Sequence, residues 1–445
     1  MLDSPYRPGF GVRPQVLAGR ESLLARAAAD LVAVRNTRAA APSVTVYVGP
    51  RGLGKTVTLD EIAGIAERQG FVVGHLRLDS VSDNIQLLAS EAAKVTGPLQ
   101  GLGDSIRATL AARLKALSVE IDAGVVKITS DQPKQRGNET VERQVLADIL
   151  ANAARLALTH GRPGLALFID ELQEPPREQL VVLCHALQDV LTSRPAPPLI
   201  VFAAGLPATP DKVVEAASFT ERFDFRPIRR LDQVSAQRAL LEPALASNVQ
   251  WDPDAANRAL HAAAGSPYLI QRIGDEAWRV TAPDPSDTIT PADVDQALLH
   301  TQEGLETGMF RGRWSKTTPV EQEVLAAMAY AADDTGTATT SDITAATGRT
   351  TPQLSMVRKS LLDKGLIETA GKGRWQFTMP GFAEYIRRQN EPDTRPPGQA
   401  WQVTDKLAID PVWEQMTPHE HPPPFQKTTK QGADSASRLT TENGR

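Results

Sequence analysis

Short apolar runs separated by amphipathic stretches dominate the first half of the chain. Val44, Val46 and Val48 alternate and are β-branched, as a buried strand requires. Residues 71–76, 165–170 and 199–204 are further apolar runs of strand length, and residues 218–225 lead into a last short strand. Between them the apolar positions recur at helical spacing. Leu23, Leu24, Ala27 and Leu31 make one stripe, Leu53, Val57, Ile62 and Ile65 another, and Val145, Ile149 and Leu156 a third within residues 139–158. Residues 85–95, 106–117 and 176–192 read as helices too, whereas 118–128 alternates only weakly and 129–138 is polar loop. Strands that alternate with helices predict an α/β domain, its mainly parallel sheet wound on both faces. Ligands of such sheets sit at the carboxyl ends of the strands.

From residue 232 the pattern becomes wholly helical. Helices are expected over 234–245, over 253–264 with Gly265 as a C-terminal cap, after Pro267, and from Thr290-Pro291. This is the pattern of a small helical lid. Residues 314–388 differ again: short helices at 319–331, 341–347 and 351–364, then strands at 366–369 and 375–378 around Gly371-Lys372-Gly373-Arg374. Helices followed by a two-stranded ribbon with a basic tip predict a winged helix. The expected organisation is an extended arm (1–16), a P-loop α/β domain (17–231), a helical lid (232–313), a winged helix (314–390) and a disordered Pro-, Thr- and Gln-rich tail (391–445).

Composition narrows the class. At 445 residues, 41% hydrophobic and 23% charged, the chain is expected to be soluble and to hold two or three domains. The longest apolar run, 199–206, is too short to cross a bilayer, and the N-terminus lacks a signal-peptide layout. The single cysteine, Cys184, lies on an apolar helix as a core thiol, which fits a reducing cytoplasm. His419 and His421 have no ligand partners near them in sequence, so they predict no metal site. A net charge of −5 gives no global reason to bind nucleic acid, but residues 349–388 hold eight Lys/Arg against three Asp/Glu.

The chemistry is concentrated behind the first strand. Gly49, Pro50, Arg51, Gly52, Leu53, Gly54, Lys55 and Thr56 have the spacing G-x-x-x-x-G-K-T and run through Val57 into a helix. Glycines let successive N–H groups turn toward one anion, and the helix start adds partial positive charge. Lys55 is expected on the β- and γ-phosphates of ATP and the Thr56 hydroxyl on Mg²⁺. Asp170, at the end of an apolar strand, can hold the water shell of the same Mg²⁺, and Glu171 can polarise the attacking water. In the winged helix, Gln353 near the start of the second helix is placed to meet base edges, with Arg358 and Lys359 on phosphates and Lys372 and Arg374 on the wing tip. Alternatively Arg358 or Lys359 snorkels beside the core, and the module docks a protein.

These residues resemble AAA+ ATPases of the origin-recognition and archaeal-initiator type over roughly residues 17–388. The resemblance rests on Gly19-Arg20-Glu21, the phosphate loop, the Leu167-Phe168-Ile169-Asp170-Glu171 strand, the Arg222 region and the C-terminal module. It implies that Arg222 is an arginine finger reaching a neighbouring subunit; otherwise Arg222 is a surface residue paired with Glu221 or Asp224. Two departures stand out. Where the family has a polar sensor, this chain has Ala203-Ala204-Gly205. The lid turn is Gly265-Ser266-Pro267-Tyr268, similar to STAND ATPases, in which the proline packs near adenine, and Arg272 is the substitute for the lid's sensor arginine. The implied function is a cytoplasmic, slowly hydrolysing ATP switch coupled to a winged helix that contacts duplex DNA. The alternative is a non-catalytic nucleotide-dependent regulator that docks a protein. The implied partners are ATP or ADP with either DNA, a protein or further copies of the chain, and no membrane.

Overall fold

Five strands alternate with helices to build the first half of the molecule, seen in a computed structural model that describes residues 2–9, 11–96, 119–122, 125–128, 139–333 and 335–390. The helix expected at 106–117, the polar stretch 129–138 and the tail 391–445 with His419 and His421 lie outside the described residues. In chain order come α1 (Glu21–Thr37), β1 (Thr45–Val48), α2 (Lys55–Arg68), β2 (Val72–Arg77) and α3 (Asn84–Thr96). A short antiparallel pair follows, β3 (Val119–Asp122) with β4 (Val125–Ile128), in the stretch whose alternation was weak. Then come α4 (Glu139–Thr159), β5 (Leu165–Asp170), α5 (Arg177–Thr192), β6 (Leu199–Gly205), α6 (Thr209–Ala216), a 3₁₀ turn (Ser218–Arg222) and β7 (Asp224–Pro227).

The sheet order is β2-β5-β6-β1-β7, and every neighbouring pair is parallel. The strands are buried on both faces, so alternation appears inside them as a division between two cores. Val46, Leu167 and Val201 join the layer of α3, α4 and α5, whereas Tyr47, Phe168 and Phe202 join α1 and α2. Phe202 stacks between Phe168 at 5.5 Å and Tyr47 at 6.4 Å between ring centroids. Truncating so central a ring costs about 3–5 kcal/mol.

The expected helices after residue 232 are α7 (Gln233–Ala246), α8 (Pro253–Ala263), α9 (Pro267–Thr281) and α10 (Pro291–Gly304), with the two-residue strands β8 (Gln250–Trp251) and β9 (Thr288–Ile289) between them. Their starts are sequence-coded. Asp232, Asp252, Ser266 and Thr290 each accept a backbone N–H of the first turn, and proline occupies the first turn of α8, α9 and α10. The N-terminal arm packs on this unit. Buried Tyr6 donates to the Leu240 carbonyl and accepts from Trp251 Nε1, while the Leu2 carbonyl accepts from Trp278 Nε1. Gly274 makes the room: a Cβ there would stand 2.7 Å from the Tyr6 ring.

Beyond α10 the chain continues through a π-helical turn (Leu305–Phe310) and one α-turn (Arg311–Trp314). It enters α11 (Pro319–Ala331), β10 (Thr337–Thr339), α12 (Thr340–Thr347), α13 (Thr351–Asp363), β11 (Ile367–Thr369), β12 (Arg374–Phe377) and α14 (Phe382–Asn390). The sheet is antiparallel, with β12 between β10 and β11. Strand β10 is an addition to the expected elements; Thr-Ala-Thr shows no apolar alternation, and only pairing with β12 makes it a strand. Phe310 packs on Phe382 and Tyr385, which ties the π-turn to α14.

Candidate functional site

The loop between β1 and α2 curls because two of its residues take left-handed backbone, Gly52 at φ 84° and Gly54 at φ 83°. Lys55 opens α2 and is buried; its Nζ donates to the carbonyls of Gly49 and Pro50, both at 2.9 Å. Burial pulls the Lys55 ammonium down to about 8, against the opposing fields of Glu171 and Asp170. Thr56 Oγ1 donates to Asp170 Oδ2 at 2.7 Å, so the loop meets the end of β5. Asp170 is buried, and its second oxygen accepts from the Glu171 amide at 2.9 Å.

Glu171 leaves the strand in left-handed backbone, φ 57°, which an L-residue adopts at a cost. The turn directs its carboxylate away from that of Asp170. Arg77, at the end of β2, lies 3.6 Å from Glu171 Oε1, and Gln173 Nε2 donates to Glu171 Oε2 at 2.7 Å. Arg51 pairs with Glu174 at 3.5 Å. The phosphate-loop residues, Asp170 and Glu171 therefore converge at the carboxyl ends of β1 and β5, as their sequence positions implied.

The lid turn reaches the same loop. Pro267 begins α9, and the amide of Tyr268 donates to the Gly52 carbonyl at 3.3 Å. Gly265 (φ 70°) is packed so closely that a Cβ would lie 2.6 Å from the Leu231 carbonyl oxygen. Arg272 is a correction. Its guanidinium pairs with Glu276 at 2.8 Å and lies beside Gly304 at the end of α10. Besides Arg51 of the loop itself, the guanidinium whose field reaches Lys55 is that of Arg313, in the turn after the π-segment. Burial pulls Arg313 down to about 10, Arg51 adds to the depression, and Tyr268 opposes it. Arg313 lies in no motif, and the only sequence signal was the cluster Arg311-Gly312-Arg313.

Arg222 lies at the other end of the sheet. It precedes β7, an edge strand in register with β1, and its carbonyl accepts from Ser43 Oγ. Roughly 20 Å of strand therefore separates it from its own phosphate loop. Of the two acids the surface alternative offered, Glu221 and Asp224, the second is held by Arg26 and Arg226. Arg226 is buried and also binds Asp30 at 2.7 Å.

The C-terminal basic residues need the largest revision. Gln353 Oε1 accepts from the Thr350 amide and hydroxyl, closing a capping box that takes up the carbonyl end of the side chain. Arg358 donates to Thr369 and lies over the Trp375 ring, and Lys359 reaches Glu215 of α6 at 3.3 Å. Both face a cavity of about 750 Å³ bounded by Gly49, Pro50, Arg229 and Arg230 on the other side. Arg349, Lys364, Arg374, Arg387 and Arg388 pair with Glu323, Glu321, Asp333, Glu384 and Glu306. Four of these five acids, all but Glu384, lie outside the window 349–388, so the excess counted there is largely cancelled by residues the count left out. Lys372 is the basic residue left exposed at the hairpin tip.

Comparisons with known proteins bear on the fold. Residues 16–202 match the AAA ATPase domain family, and residues 307–386 match a domain of unknown function, DUF8462. No curated protein matches the chain. The Walker-type ATPase paby2304 of Pyrococcus abyssi shares the fold with a TM-score of 0.54 at 16% identity, covering 84% of this chain and 97% of that one. The ORC2 protein of Aeropyrum pernix, solved in ADPNP–ADP complexes, gives 0.52 at 14% identity, covering 86% and 97%.

Proposed function

With residues 16–202 an AAA ATPase domain, the chain is an AAA+ P-loop ATPase of initiator-type fold, and from that premise we propose that it is a slowly hydrolysing nucleotide switch read out by its C-terminal module. The single observation that carries the coupling is the closeness of the phosphate loop to that module, with Gly49 and Pro50 lining one cavity together with Arg358 and Lys359. A Cβ on Gly365, just after α13, would lie 3.5 Å from Leu206 Cδ1 and 4.0 Å from Arg51 Nε. A change at the phosphates is therefore one side chain away from the module.

In this proposal the loop from Gly49 to Val57 cradles the ATP phosphates, Lys55 neutralises them and Pro267 lies near the base. Thr56 and Asp170 hold Mg²⁺. Their two hard oxygens, 2.7 Å apart beside the loop, suit an ion whose other ligands are phosphate and water. The ion, when bound, supplies charge neutralisation between the phosphoryl oxygens. Glu171 polarises the attacking water, and Arg313 offers its guanidinium to the terminal phosphate. Slow hydrolysis follows from the apolar end of β6, whose final residues are Ala203, Ala204 and Gly205. Arg222 serves a neighbouring copy, since its own loop is out of reach.

The proposed boundaries remain an arm to residue 16, the ATPase domain to 231, a lid to 313 and a winged helix to 390. Helix, strand, helix, helix and hairpin is the order that supports the last assignment. Two outputs are open to that module. The exposed Lys372 supports duplex contact at the wing tip, and the neutralised basic residues favour docking to a protein. No described helix is long and apolar enough to cross a membrane. Hydrogen exchange tests the coupling. Amides at 311–316 and 361–366 are expected to differ between ADP and a non-hydrolysable ATP analogue, and identical exchange in both states would refute it.

A further inference from the structure

Gln173 has its full hydrogen-bonding capacity committed inside the ATPase domain. The residue is 2% exposed. Its two amide protons go to Glu171 Oε2 at 2.7 Å and Glu174 Oε1 at 3.0 Å. Its carbonyl oxygen accepts from the Leu206 amide at 3.0 Å and from Thr209 Oγ1 at 3.4 Å. A side-chain amide offers two donors and two acceptor positions, so all four are filled. Its main-chain carbonyl accepts as well, from Lys212 Nζ at 3.3 Å.

These partners belong to different moving parts. Glu171 follows β5. Glu174 pairs with Arg51 of the phosphate loop. Leu206 and Thr209 connect β6 to α6, and the last turn of α6 carries Glu215, which pairs with Lys359 on α13. Gly205 makes the arrangement possible, because a Cβ there would fall 2.9 Å from Gln173 Oε1 and 2.2 Å from Thr209 Oγ1. The apolar end of β6 is thus occupied by a polar group delivered from the loop after β5.

We propose that Gln173 is the positioning residue of the hydrolytic site, holding the Glu171 carboxylate and transmitting its position through Leu206 and Thr209 to α6 and the C-terminal module. This rests on the assignment of Glu171 as the water-polarising group. Glu171 Oε2 stays on the Gln173 amide while Oε1 is the oxygen left to meet the attacking water. The amide is bonded on its other side to the β6–α6 connection, so a movement of the carboxylate is passed to that connection. Glutamine suits the role because it donates to a carboxylate and accepts from a backbone N–H at the same time; neither leucine nor glutamate does both.

The test compares Gln173→Leu, Gln173→Glu and Glu171→Gln with the parent full-length protein. Glutamate keeps the size of the side chain and an acceptor for the Leu206 amide but offers Glu171 and Glu174 no donor, whereas leucine removes the polar group without adding charge, so the two variants disturb the site differently. Both Gln173 variants are expected to lose about tenfold to a hundredfold in kcat, the size of one hydrogen bond to a charged group, with ATP affinity within about twofold. They are also expected to lose the nucleotide-dependent difference in amide exchange at residues 361–366. A parent-like kcat in both, with Glu171→Gln inactive, overturns the proposal and leaves the site assignment standing. A fall in kcat matched by an equal loss of ATP affinity or of thermal stability overturns it in favour of a purely structural role. Parent-rate turnover by Glu171→Gln instead removes the site assignment beneath it.

Discussion

Thr56 Oγ1 and Asp170 Oδ2 lie 2.7 Å apart although 114 residues separate them in the chain. A hydroxyl at the start of one helix and a carboxylate at the end of a buried strand meet only because β1 and β5 flank β6 in one parallel sheet. Their meeting point lies beside Lys55, and the first prediction starts there.

Replacing Lys55 with Ala removes the charge expected to meet the phosphates, not a core side chain. Binding of a fluorescent ATP analogue should be lost, while the thermal transition is retained. Because the buried ammonium is already strained toward neutrality, with a value near 8, its removal is not expected to destabilise the fold. Parent-like analogue affinity would contradict the phosphate-loop assignment.

Glu171→Gln keeps the shape of the side chain and loses its capacity to polarise water. ATP and Mg²⁺ should remain bound while turnover falls by about 10²–10⁴-fold. Phosphate release in single-turnover conditions is the measurement, and undiminished release refutes the role.

Arg222 is predicted to act across a subunit boundary. Arg222→Ala and Glu171→Gln proteins, each inactive alone, should regain activity when mixed under conditions where mass measurements show oligomers. Interfaces with one intact Glu171 and one intact Arg222 are then catalytic. No recovery at any mixing ratio would return Arg222 to an ordinary surface role.

Glu321 gives the C-terminal module a defined acid sensitivity. Burial pushes its carboxyl up, but Lys364, Ser360 and the Thr318 amide together hold it down at about 2. A depressed folded value means that the stabilisation is present above the ordinary value of 4.5 and is lost as pH falls toward 2. Tryptophan fluorescence, reporting buried Trp375, should show this loss in the parent. Glu321→Gln should be less stable by about 1–2 kcal/mol near neutrality, because half-exposed Lys364 keeps the Lys316 carbonyl but loses its acid, and should lose the pH dependence in that window.

At the wing tip, Lys372→Ala should weaken any duplex binding at every sequence and lower the salt slope by about one unit. Arg374→Ala should do less, since Asp333 already holds that guanidinium at 3.2 Å. Gln353→Ala should relax any preference at one position and also cost about 1 kcal/mol through the lost cap. Absence of salt-sensitive duplex binding at low ionic strength, with ATP present, would assign the module to protein docking.

Local sequence was enough for much of this molecule. Strand and helix periods, the hydroxyl-then-proline starts of α9 to α11, and the G-x-x-x-x-G-K-T spacing all depend on neighbours within a few residues, so they are legible without a fold. Asp170 and Glu171 were legible because a strand end in an α/β domain has a known relation to the phosphate loop. What only the tertiary structure decided are relations between distant segments. Gln173 looks unremarkable beside Glu171 until the sheet brings Leu206 and Thr209 to its other side. Arg313 became a neighbour of Lys55, and Arg272 did not, because helix packing turned one inward and paired the other with Glu276. The count of basic residues after Arg349 misled for the same reason. Charge along a chain adds by sequence distance, but the field at a surface adds by spatial distance, and Glu306, Glu321, Glu323 and Asp333 are near in space only.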